Sequence, residues 1–135
     1  MTAKINDVII LLARLSISAL FLQAGVGKLF EISGFAGSLA AKGVPFAGLV
    51  VYLVILVEIL GAAALIFGVR ARETSVILLA FTCVATLLSH AFWSFPEEAR
   101  SAQQGQFFKN LAIVGGLFLY FVTGPGRYRL GQGAK

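Results

Sequence analysis

Four long apolar runs account for most of this chain, and Arg14, Lys28, Glu58, His90 and Lys109 lie inside them or at their ends. That placement constrains the fold more than any other feature. A charged group at the centre of a bilayer costs about 2.5–3.5 kcal/mol even on the mildest scales, so each needs a partner or a function. Set against the roughly 20 residues required to cross the hydrocarbon, the runs predict spans near 7–30, 46–68, 74–93 and 107–123. Hydrophobic residues make up 59% of the chain and the mean hydropathy is +0.91, more than a water-soluble core can enclose. The expected fold is all-α: an integral membrane four-helix bundle forming one transmembrane domain over 1–135. No stretch is left over for a soluble domain, so any chemistry belongs in the bundle, at its rim or on a partner.

The start of the chain resembles a cleavable signal only superficially. Lys4 precedes the apolar stretch Val8 to Ala13, but Arg14 interrupts it and no clean Ala-x-Ala cleavage site follows. It reads as a retained first span. The basic residues set the expected orientation: Lys4, Arg70, Arg72, Arg127, Arg129 and Lys135 fall on one side, and Lys28, Lys42, Arg100 and Lys109 on the other. Both termini are therefore predicted to face the cytoplasm. The net charge of +5 is mainly this topological bias, with attraction to anionic lipid secondary. Basic residues flanking spans do not form a nucleic-acid groove, and the partner the composition demands is the lipid bilayer.

Cysteine and histidine counts exclude several chemistries. Cys83 is the single cysteine, so an internal disulfide or a Cys-x-x-Cys redox pair is impossible, and it reads as a small packing residue. His90 is the single histidine, which rules out bis-histidine haem and argues against a dedicated metal site. No cofactor is encoded. Gly25-Val26-Gly27-Lys28 resembles the end of a phosphate-binding loop, but Leu22 and Leu29 occupy the positions that loop gives to Gly and to Ser or Thr.

Helical spacing gathers the polar residues. Arg14, Ser18, Phe21, Gly25 and Lys28 form one stripe on the first span; Cys83, Thr86, His90 and Trp93 form one on the third; Lys109, Ile113, Gly116, Tyr120 and Thr123 form one on the fourth. These stripes are expected to face the interior. On the second span Glu58 precedes Gly61, where a small residue admits a neighbouring helix. Measured from the cytoplasmic helix ends at 1.5 Å per residue, Arg14 lies about 10 Å deep and Glu58 about 15 Å deep, which permits an ion pair. Lys28, His90, Lys109 and Asn110 are expected to form a second polar cluster near the outer face. Each has a structural alternative: register-fixing for Arg14 and Glu58, snorkelling for the lysines, an interhelical hydrogen bond for His90. The loop 31–45, with Gly34, Gly37, Gly43 and Pro45, suits a short interfacial helix; 69–73 is a tight turn making the second and third spans antiparallel neighbours; 94–106 reads as a polar loop; and Gly124-Pro125-Gly126 ends the last span.

The chain resembles the DoxX family of small four-span membrane proteins. The resemblance rests on Arg14, Phe21-Leu22-Gln23-Ala24-Gly25-Val26-Gly27-Lys28-Leu29, Glu58-Ile59-Leu60-Gly61, His90-Ala91-Phe92-Trp93, the run Phe108 to Gly116, and Gly124-Pro125-Gly126. It departs from the family's pattern at Glu73-Thr74-Ser75. The resemblance implies a multi-pass protein of the bacterial cytoplasmic (inner) membrane, in a family named after a subunit of a thiosulfate:quinone oxidoreductase. The leading expectation is a redox-associated subunit binding a quinone or similar amphipathic ligand, with Arg14, Lys28, Glu58, His90, Lys109 and Asn110 as ligand or proton-site candidates. No electron carrier is encoded, so catalysis would require a soluble redox partner protein, and no catalytic residue is assigned. The alternatives are a non-catalytic anchor or assembly factor for redox or stress-response enzymes and a small-solute carrier, the last requiring a homo-oligomer.

Overall fold

The computed structural model describes residues 2–131, so the Lys135 of the topology argument lies outside the described residues. The elements are α1 (Thr2–Phe30), α2 (Ile32–Ala41), α3 (Ala47–Phe67), α4 (Ala71–Ser89), a 3-10 turn at Phe92–Ser94, and α5 (Glu97–Thr123). Among the described residues there is no strand, and α1, α3, α4 and α5 are each long and apolar enough to cross a membrane. Leu49, Leu53, Leu56 and Leu60 form an exposed stripe along α3, as expected of a face turned to lipid. The expected short helix in 31–45 is α2, which seats Leu39 against Val51 and Ile55 of α3.

Several boundaries differ from expectation: α1 begins at Thr2, α4 runs from Ala71 to Ser89, and α5 begins at Glu97. The polar segment 94–106 is mostly helix, because Pro96 supplies a fixed N-cap and Glu97 and Glu98 place acidic side chains in the first turn of α5. The fourth span thus begins ten residues earlier than hydropathy alone indicates, since a helix can extend past the hydrocarbon where its polar turns are solvated. At the other turn Gly68, at φ 67°, stops α3 and lets α4 begin at Ala71.

The bundle is built as two pairs. Helix α1 packs mainly on α3 and α4 mainly on α5, with α3 on α4 and α1 on α5 joining the pairs. Glycines permit the closest approaches. A Cβ on Gly25 would lie 2.8 Å from Ile59 Cγ1, one on Gly61 2.6 Å from Leu78 Cδ2, and one on Gly116 3.0 Å from Ile17 Cδ1. The small-residue role expected of Gly61 is thereby explained by Leu78. The tightly packed half, around Ala62, Leu65, Leu78, Leu117 and Tyr120, lies toward the end that carries both termini. Toward the opposite, distal end the pairs separate around a cleft.

Candidate functional site

Arg14 and Glu58 occupy different places. Arg14 is 1% exposed, and its guanidinium donates to four carbonyls: Nε to Leu65 at 2.7 Å, Nη2 to Ile66 at 2.6 Å, and Nη1 to Pro125 at 2.7 Å and Tyr128 at 2.6 Å. Two of these are C-terminal carbonyls of α3 at its negative dipole end, and the Leu65 carbonyl also accepts from Gly68 N–H at 3.2 Å. The others belong to the tail after α5, which folds back across the bundle and is further held by Arg127 N–H to Asp7 Oδ1 at 3.0 Å and Leu130 N–H to the Phe67 carbonyl at 2.8 Å. Arg14 therefore clasps α1, α3 and the tail together.

The ion pair that the sequence permits between Arg14 and Glu58 does not form; Glu58 pairs with Lys28. Lys28 Nζ donates to Glu58 Oε1 at 2.8 Å and Oε2 at 3.0 Å, contacts the Ala24 carbonyl at 3.4 Å, and lies 5.1 Å from the centre of the Phe35 ring on α2. The reason is register. Gly25 packs beside the Cβ of Glu58, so Lys28 is one turn away from the carboxylate, whereas Arg14 is eleven residues back, about 16 Å along α1. Helix ends do not line up: α1 starts at Thr2 and overhangs the bundle, which places Arg14 level with the end of α3. The depth comparison from sequence assumed aligned ends.

The expected outer cluster is brought together around the cleft. This cavity of about 700 Å³ is lined by Lys28 and Glu58 from one helix pair and by Thr82, His90, Gln103, Lys109 and Asn110 from the other. His90 Nδ1 lies 2.7 Å from Gln103 Oε1, Asn110 Nδ2 donates to Thr86 Oγ1 at 2.9 Å, and exposed Lys109 donates to Gln106 Oε1. Arg14 is absent from this lining; it borders a separate cavity of about 100 Å³ with Tyr120. Between the polar walls the surface is apolar: Phe21 and Phe81, with ring centres 6.4 Å apart, bound the cleft from the tight core, and Val50, Val54, Val84 and Leu88 line its side between α3 and α4. Val84 is 65% exposed, so the cleft reaches the lipid-facing surface there.

Of the three predicted stripes, that on α1 faces inward throughout. The stripe on the third span holds in part: Thr86 is buried and His90 lines the cleft. Cys83 and Trp93 are exposed, and the inward row is Leu78, Thr82 and Thr86. Cys83 is therefore no internal packing residue. Thr82 escaped the sequence reading although its spacing of four from both Leu78 and Thr86 was the available signal. On α5, Gly116 and Tyr120 face inward while Thr123 is exposed.

The DoxX family profile matches residues 9–91, well over half of the chain and all of α2, α3 and α4. The chain belongs to the DoxX family. It is 40% identical over 130 residues to the inner membrane protein YqjF of Escherichia coli (strain K12), covering 94% of this chain and 92% of that protein. It is 26% identical over 125 residues to the inner membrane protein YphA of the same organism, covering 93% and 89%. A Surfeit locus protein 4 homolog of Schizosaccharomyces pombe (strain 972 / ATCC 24843) shares 31% identity over 111 residues, 81% of this chain but 36% of that protein. No solved structure matches. With four candidate spans and inner-membrane relatives, this DoxX protein is a multi-pass protein of the inner membrane.

Proposed function

We propose that this DoxX protein is a membrane subunit that holds a quinone, or a closely similar amphipathic ligand, in the distal cleft. The observation that carries the reading is the two-sidedness of that cavity: apolar walls open to lipid between α3 and α4, with polar side chains on both facing helix pairs. Its volume of about 700 Å³ falls within the roughly 300–1,000 Å³ of ordinary ligand sites. Glu58 is the one carboxylate lining it among the described residues, and in this reading it supplies the proton site that quinone chemistry requires. Electrons come from a redox partner protein, since the chain encodes no carrier. Lys28 and the hydrogen-bonded pairs of α4 and α5 shape the site, and Arg14 serves its architecture instead of its chemistry. The terminal end, with Arg70, Arg72, Arg127 and Arg129, faces the cytoplasm in this arrangement, so the cleft opens toward the outer leaflet.

Mass spectrometry of complexes gently extracted from native membranes tests the reading. Near-stoichiometric quinone is expected with wild type, and at least about ten-fold less with Glu58→Gln. The paired exchange Lys28→Glu with Glu58→Lys, which retains an ion pair, controls for folding. Partner proteins recovered without quinone, and unchanged by Glu58→Gln, would refute the reading in favour of a non-catalytic anchor.

A further inference from the structure

Thr82 is 4% exposed, lines the cleft, and has a hydroxyl with no hydrogen-bond partner among the described residues. A hydroxyl on a membrane-buried helix ordinarily donates to the carbonyl one turn back. Ser75 does so to Ala71 at 2.7 Å and Thr86 to Thr82 at 2.6 Å, on the same helix. Thr82 does not, and a lone hydroxyl in so apolar a place is strongly disfavoured unless something completes it.

Several of the other polar groups lining the cleft already have partners. Lys28 directs its three N–H groups at two carboxylate oxygens and a backbone carbonyl, so it can serve a ligand only by giving up its pair. Glu58 is an acceptor when ionised. His90 Nδ1 and Asn110 Nδ2 are in hydrogen bonds to Gln103 and Thr86. Position separates them further: Thr82 lies seven residues inside the distal end of α4, about 10 Å deep, whereas His90 follows that end directly.

We propose that rotation about Cα–Cβ turns the Thr82 hydroxyl, itself enclosed, into the cleft as the deep donor that fixes the head of the ligand, and that this head is a neutral carbonyl-bearing ring of the quinone type. An anionic head would share the cleft with Glu58, whose counter-charge is already committed, whereas a neutral carbonyl accepts the free O–H without that conflict. The apolar tail then leaves past Val50, Val54, Val84 and Leu88. This inference rests on the cleft reading above and adds the residue and the chemical group that meet.

The test is calorimetric titration of the full chain in lipid nanodiscs, with empty nanodiscs subtracted, using decyl-benzoquinone and the oxygen-free decylbenzene. Thr82→Val preserves shape and removes the hydroxyl; it is expected to weaken quinone binding about ten-fold and leave decylbenzene unchanged. Thr82→Ser, which restores the hydroxyl, is expected to stay within about three-fold of wild type for the quinone. Quinone binding unaffected in Thr82→Val, but lost in Glu58→Gln, would overturn the role of Thr82 and leave the cleft reading standing. Equal loss of both probes in Thr82→Val, or failure of Thr82→Ser to recover the quinone, would reduce Thr82 to a packing residue. Absence of quinone binding by wild type would overturn both readings.

Discussion

Replacing Arg14 by Met isolates the clasp at the terminal end, because Met keeps length and apolar bulk while removing all four donated hydrogen bonds. The bond to the Leu65 carbonyl is buried and comes from a charged donor; because that carbonyl keeps the Gly68 N–H, its loss falls at the low end of the usual range of about 1.5–3 kcal/mol. The other three are partly buried, so water can reach those acceptors and each loss costs about 0.5–1 kcal/mol. Removing a buried guanidinium also relieves its own desolvation, so the net loss is about 3 kcal/mol, a large share of an ordinary folding stability of about 5–15 kcal/mol. Arg14→Lys should recover less than half, since an ammonium cannot reproduce the planar fork that spans α3 and the tail. The assay is reversible unfolding in mixed detergent micelles followed by helicity, alongside quinone content of the folded fraction. Arg14 is about 16 Å along α1 from the residue that packs on Glu58, so the folded fraction should retain its ligand. A variant as stable as wild type that has lost its quinone would refute this assignment and make Arg14 part of the site.

Two further outcomes follow from the same geometry. Gly25→Val should destabilise by about 1–3 kcal/mol and pull Lys28 from Glu58, because its Cβ meets Ile59 Cγ1 at 2.8 Å and approaches backbone at 3.4 Å; Gly27→Val, with nothing within 4 Å, should be neutral in the same unfolding assay. A green fluorescent protein fused after the last residue should fluoresce, and an alkaline phosphatase fused there should be inactive, if both termini are cytoplasmic; the reverse pattern would invert the bundle and direct the cleft to the inner leaflet.

The apolar runs, Gly124-Pro125-Gly126 and the small residues of 31–45 made four spans, a short α2 and the final break legible without coordinates. Hydropathy could not find the start of α5, because Glu97 to Gln106 is helical while remaining polar. The candidate site was legible in part. Lys28, Glu58, His90, Lys109 and Asn110 do share one cavity, but Arg14 does not, and Thr82 was hidden behind a one-residue choice of stripe on α4.

The sequence by itself determined that this protein spans a membrane four times as helices, since hydrocarbon forces each backbone to satisfy itself within an apolar segment and those segments are local. It also determined that the intramembrane charges required partners. Only the tertiary structure decided which partners, because antiparallel helices can slide past one another and depth counted from unaligned ends cannot fix their register. The contact of Gly25 with Glu58 and Ile59 fixes it here, assigning Glu58 to Lys28 and Arg14 to the carbonyls that end α3.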